Sequence, residues 1–150
     1  MYVRSLLEFG CVQWCPSNVS LINCIEKVQK RFCRFFSCLN GLNYRSKLFN
    51  LCLLSLEARR LRYKLIFLYK ILNGYYRLNP NDFFHFSSRS VSCTSNKILM
   101  PLTKHKYRSN FFTVDVIHHW NNLSLDERNA DSLNSFKNSV SCYFMRCDIW

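Results

Sequence analysis

Nine cysteines, four histidines and nine carboxylates are the side chains in this 150-residue sequence that could do catalysis or bind metal. Two-metal phosphoryl transfer needs several carboxylates converging on the ions. The acids are Glu8, Glu26, Glu57, Asp82, Asp115, Asp126, Glu127, Asp131 and Asp148. Only Asp126 and Glu127 are adjacent, in a stretch that reads as a turn, and no aspartate pair follows a Tyr or Phe in a hairpin-like pattern. Gly10, Gly41 and Gly74 stand alone, so there is no glycine-rich loop to cradle phosphates. Cys11 and Cys15 are four apart, and Cys33 with Cys38 and Cys142 with Cys147 are five apart, whereas structural zinc sites open on a tighter pair. The expectation is therefore no metal and no cofactor. An odd cysteine count argues against a closed disulfide framework and points to reduced thiols. Any of these cysteines could be paired on paper with any histidine, so no Cys–His nucleophile stands out. In His118-His119-Trp120, neighbouring helical residues point about a hundred degrees apart, so one histidine faces the core and the other solvent. Trp120 reads as a core anchor. From its residues, the chain is expected not to be an enzyme.

Charge supplies the positive clue. There are 21 Lys+Arg against 9 Asp+Glu, a net charge of +12. Such a surplus attracts polyanions: nucleic acid first, with an acidic protein or an anionic membrane surface as other classes. Lys27, Lys30, Arg31 and Arg34 share one helix face with only Glu26 nearby to balance them. Arg59 and Arg62 begin a second helix. Lys104, Lys106 and Arg108 flank Tyr107, which could stack on a base. These ten residues form the candidate nucleic-acid-binding set, with RNA or DNA as partner and no small-molecule substrate. No run of eighteen apolar residues exists and the first ten residues do not read as a secretory signal. The expectation is an intracellular protein, nuclear or cytoplasmic, without membrane association.

The elements that would hold these groups are helical. Hydrophobic residues make up 49% of the chain, and 3 Gly and 3 Pro are too few for a many-stranded sheet. Residues 20–39 carry a stripe, Leu21, Ile25, Val28, Phe32, Phe35 and Leu39, at steps of three and four, with Asn18 or Ser20 as cap and Gly41 as stop. Residues 44–50 read as a small helix. A longer one starts near Ser55 and ends at Asn73-Gly74, with the seam Ala58, Leu61, Leu65, Leu68 and Leu72 expected to pack on the first stripe. Residues 87–96 read as a polar, serine-rich linker, and residues 97–102 as a short strand. Asn110 would cap a third helix with Phe112, Val116, Trp120 and Leu123, and Asp131 or Ser132 a fourth with Leu133, Phe136, Val140 and Tyr143. The predicted fold class is mostly α: a small helical bundle over 1–86 with basic faces, the linker, and a second helical segment over 97–150.

Seven landmarks in order resemble the C-terminal region, downstream of the polymerase domain, of non-LTR (LINE-type, jockey-like) retrotransposon reverse transcriptases. They are Leu7-Glu8-Phe9-Gly10 with Trp14-Cys15-Pro16; Ile25-Glu26-Lys27-Val28-Gln29-Lys30-Arg31; Leu54-Ser55-Leu56-Glu57-Ala58-Arg59-Arg60 running on to Tyr69-Lys70-Ile71-Leu72-Asn73-Gly74; Asp82-Phe83-Phe84; Arg108-Ser109-Asn110-Phe111-Phe112; Trp120-Asn121-Asn122-Leu123; and Ser135-Phe136-Lys137. The resemblance covers nearly the whole chain. It implies a non-catalytic fragment, a helical tail that helps hold template RNA or target DNA, with the upstream reverse transcriptase domain as a further partner. A module that docks on that polymerase portion, or a decayed remnant without function, are the alternatives it leaves. One departure is that Leu123 is followed by Ser124, where the family pattern has Pro, which puts the Pro-defined turn in question.

Without convergent carboxylates, the protein incubated with magnesium, primer, template and nucleotides should extend nothing and cut nothing. Extension that a single Asp substitution abolishes would refute the non-enzymatic reading.

Overall fold

A computed structural model describes residues 2–86 and 96–146. Among these residues the chain forms α1 (Tyr2–Glu8), α2 (Val19–Cys33), α3 (Tyr44–Asn50), α4 (Leu56–Leu72), α5 (Lys106–Ser109), α6 (Phe112–Asn121), α7 (Leu125–Arg128) and α8 (Leu133–Arg146), with single 3-10 turns at Ser37–Leu39 and Pro80–Asp82. The mostly helical class read from the sequence is thus observed. The chain falls into two compact units, one holding the described residues of Met1–Leu61 and Cys142–Trp150, the other those of Arg62–Ser141. The linker expected at 87–96 falls, but for Asn96, outside the described residues.

In the first unit, Asn18 caps α2, its side chain accepting the Ser20 N–H at 2.9 Å, and Asn43 caps α3 through the Ser46 N–H at 2.8 Å. Gly41, at φ +85, takes the left-handed conformation a side chain would strain. The inward face of α2 differs from the expected one. Leu21, Val28, Phe32 and Phe35 are exposed, while Glu26, Gln29 and Cys33 are buried. Each of these inward residues follows a stripe residue by one position, so the helix is turned by about 100° from the expected orientation. Directional bonds hold it there. The Glu26 carboxylate accepts the Leu56 N–H at 3.1 Å and the Tyr44 hydroxyl, and the Gln29 amide donates to the Leu54 carbonyl at 2.9 Å. The expected packing of the α4 seam against Leu21, Ile25, Val28, Phe32 and Phe35 is therefore corrected. Helix α2 also ends earlier than expected: Arg34 caps it, and Phe36 turns extended at φ −89, ψ 93 before the 3-10 turn that buries Leu39.

In the second unit, α4 contributes Leu65, Ile66, Leu68, Tyr69 and Ile71 to the core, α6 contributes Val114, Val116, Ile117 and Trp120, and α8 contributes Phe136 and Val140. Aromatic contacts tie these together: Tyr69 stacks on Phe136 at 4.3 Å between ring centroids, and Trp120 lies 5.8 Å from the same ring. Trp120 is a core anchor, as read from the sequence, and its indole N–H donates to the Asn96 carbonyl at 2.8 Å. Residues 97–102 do not form a strand. Ile98 makes one isolated bridge to Phe86, and Asn121 takes the place of a neighbouring strand, accepting the Ile98 N–H at 3.1 Å and donating to its carbonyl at 2.8 Å. Asn110 ends α5 rather than capping α6, whose N-cap is Phe111. Ser132 does cap α8, its hydroxyl accepting the Ser135 N–H. Ser124 opens α7 with a capping box: it accepts the Glu127 N–H, and the Glu127 carboxylate accepts the Ser124 N–H at 2.9 Å.

Leu65 is fully buried and Phe35 is largely exposed. Leu65→Ala should cost about 2–5 kcal/mol in chemical denaturation, and Phe35→Ala should lie within about 0.5 kcal/mol of the wild type. Equal losses would restore the expected orientation of α2.

Candidate nucleic-acid interface

The candidate cations separate into two groups once their surroundings are known. On α2, Lys27, Arg31 and Arg34 are exposed, and among the described residues no carboxylate pairs with them. Helical residues three and four apart are neighbours, so Lys27 with Arg31 and Arg31 with Arg34 form one continuous row. Lys30 is half-buried, its ammonium 5.1 Å from the centre of the Tyr44 ring. The unit has little to offset this row. Of its described carboxylates, Glu26 is buried and Glu8 is paired with Arg59, which leaves Glu57 exposed. Arg45, on α3, adds an exposed cation that was not among the candidates. Its signal was weak, a single charge on a short helix.

Helix α4 tells the opposite story. Arg59 is buried and forms an ion pair with Glu8, so the structure withdraws it from the candidate surface. Arg60 is buried too, donating to the Leu7 carbonyl at 2.8 Å with its guanidinium 4.8 Å from the Trp14 ring. In the other unit, Arg62 donates to the Ser141 hydroxyl at 2.9 Å, and Lys64 is buried against Asp115 at 2.6 Å. The basic run at the start of α4 therefore fastens other elements. The long aliphatic stems of these residues allow it, since they pack as apolar material while the head finds an internal partner.

The third cluster belongs to the second unit. Lys104 is exposed ahead of α5, Lys106 opens that one-turn helix, and Tyr107 is 85% exposed. Arg108 is exposed with its guanidinium 5.4 Å from the Phe111 ring, which leaves its edge free to meet a phosphate. The structure thus keeps Lys104, Tyr107 and Arg108 together at the surface.

The other reactive side chains sit in quiet surroundings. Burial pushes the Cys11 and Cys33 thiols up from their ordinary value, which disfavours the nucleophilic thiolate. Burial, reinforced by the Glu26 carboxylate, pushes the Tyr44 hydroxyl well up, so it stays a donor. His119 is half-buried and its value is lowered by that burial, while His118 faces solvent. Among the described residues no three His, Cys, Asp or Glu side chains form a group that could hold a metal ion. No described helix is long and apolar enough to cross a membrane. Comparison with known proteins finds no family model, no curated protein and no solved structure that matches the chain.

Removing one member of a buried ion pair strands the other charge. Arg59→Gln should therefore lower stability by on the order of 3 kcal/mol, while the folded protein keeps the salt dependence of its nucleic-acid affinity. A flattened salt slope with unchanged stability would return Arg59 to the surface.

Proposed function

We propose that this chain is a non-catalytic nucleic-acid-binding protein that contacts the phosphate backbone through the exposed row Lys27, Arg31 and Arg34 of α2, aided by Lys30. The carrying observation is that this row has no carboxylate partner among the described residues, although buried cations elsewhere in the chain are paired or hydrogen-bonded. Lys104, Tyr107 and Arg108 form a second patch suited to the same ligand. Cations on the solvent side of a helix gain affinity by displacing condensed counterions, a mode that reads charge rather than sequence. Contacts of this kind to the phosphate backbone carry no sequence information, so the expected binding is weakly sequence-selective. The seven landmarks that resemble the region beyond a non-LTR reverse transcriptase domain suit such a role, a helical tail holding template RNA or target DNA near an upstream polymerase.

The test is affinity as a function of salt, read by anisotropy on labelled RNA and DNA. Each phosphate contact contributes a slope of roughly −0.7 on single strands and −0.9 on duplex. Replacing Lys27, Arg31 and Arg34 together by Gln should weaken binding on all sequences alike and flatten the slope by about two to three units. A folded wild-type protein that binds neither RNA nor DNA at low salt would overturn the proposal.

A further inference from the structure

The rotation of α2 leaves Phe32 outside, and Phe35, just past the cap at Arg34, is exposed beside it. Phe32 is 51% and Phe35 79% exposed, at the same end of the helix as Arg31 and Arg34. Arg34 caps α2 and Phe35 follows it in the closing turn, its N–H donating to the Phe32 carbonyl at 3.1 Å, so cations and rings alternate along residues 31–35. The ring of Phe36 meets that of Phe32 edge-on, with centroids 5.3 Å apart and planes at 77°, which restrains how Phe32 presents itself. Phenylalanines left in water forgo the free energy of burial. An arrangement that exposes two of them beside arginines without a carboxylate partner among the described residues has a definite complement: a ligand with negative charge at regular intervals and flat apolar faces between.

We propose, resting on the nucleic-acid reading above, that the C-terminal end of α2 is a stacking platform for single-stranded nucleic acid, with Arg31 and Arg34 on phosphates and Phe35, flanked by Phe32, against bases. Single strands present unpaired base faces, and basic grooves interleaved with aromatic rings are how proteins hold them without reading sequence. A duplex hides those faces within its stack and shows only hydrogen-bonding edges in its grooves, which a phenyl ring cannot read. A second copy of this chain is disfavoured as occupant because it would bring another +12 to an already positive surface. An acidic protein surface and an anionic bilayer match the arginines equally well and can take up apolar bulk, but neither requires a planar ring, and that difference can be measured.

The full chain is titrated against a labelled single-stranded pyrimidine oligonucleotide, the corresponding duplex, and vesicles of mixed neutral and anionic phospholipid, with wild type, Phe35→Ala and Phe35→Leu compared. Phe35→Ala should weaken single-strand binding about tenfold while leaving duplex binding and the salt slope as they were. Phe35→Leu keeps apolar bulk but loses the flat ring, and should fall with Phe35→Ala. Circular dichroism should show all three equally folded, since the residue is exposed. Leucine restoring wild-type affinity, an equal loss on duplex, or tighter binding to vesicles than to oligonucleotide would each overturn the platform. If the protein binds nucleic acid with the expected salt slope but is indifferent to Phe35, the platform falls and the basic-row proposal stands. If it binds no nucleic acid at all, both fall.

Discussion

A buried carboxylate at the start of a helix fixes what the candidate surface can be. Glu26 reaches the first turn of α4, where backbone N–H groups have no partner within the helix and the dipole is positive. Ser55 takes the Ala58 N–H at 3.2 Å, so two side chains from distant parts of the sequence share the capping of one helix. Tyr44 donates to the same carboxylate and brings in α3. A buried charge without such partners would be costly, so the network is tolerated only as a complete set. Satisfying it sets the rotation of α2, and that rotation decides which of its residues meet solvent.

The same economy of partners governs the cations. A surplus of positive charge in a sequence is usually imagined at the surface. Here Arg59, Arg60 and Lys64 are buried and Arg62 is partly so, each tied to a carboxylate, a carbonyl or a hydroxyl. The burial of these groups does not by itself mean that they stabilise the fold, because desolvation offsets much of the attraction. It does mean that Arg59, Arg60 and Lys64 are withdrawn from phosphates. Of the candidate cations, the α2 row and the cluster around Tyr107 remain outside.

Several residues within the landmark motifs have internal duties. Glu26 and Ser55, from two different landmarks, meet at the α4 N-terminus. Trp120 and Asn121 together hold the segment around Ile98. Phe112, at the end of another landmark, packs its ring near Phe67 and Phe84. Ser124 starts α7 through a capping box, which satisfies two backbone N–H groups at once.

The sequence by itself determined the helical class, the bounds of α3, the stop at Asn73-Gly74 and the core role of Trp120, and narrowed two caps to Asn18 or Ser20 and to Asp131 or Ser132, of which Asn18 and Ser132 are used, because these depend on periodicity and on hydrogen bonds within a few residues. It also marked Lys27, Lys30, Arg31 and Arg34 as one face, since helical spacing alone places them together, although Lys30 is half-buried against Tyr44. It did not determine which face of α2 turns inward. A hydrophobic stripe counts apolar area, and that count favoured Leu21, Val28 and Phe32, whereas the fold obeys the directional demands of Glu26 and Gln29 toward partners about 25 to 30 residues away. The tertiary structure likewise decided that Arg59 is internal, because an arginine whose partner is Glu8 looks the same in sequence as one that faces water. The exposure of Phe32 follows from the rotation of α2, and only the packed molecule could reveal it.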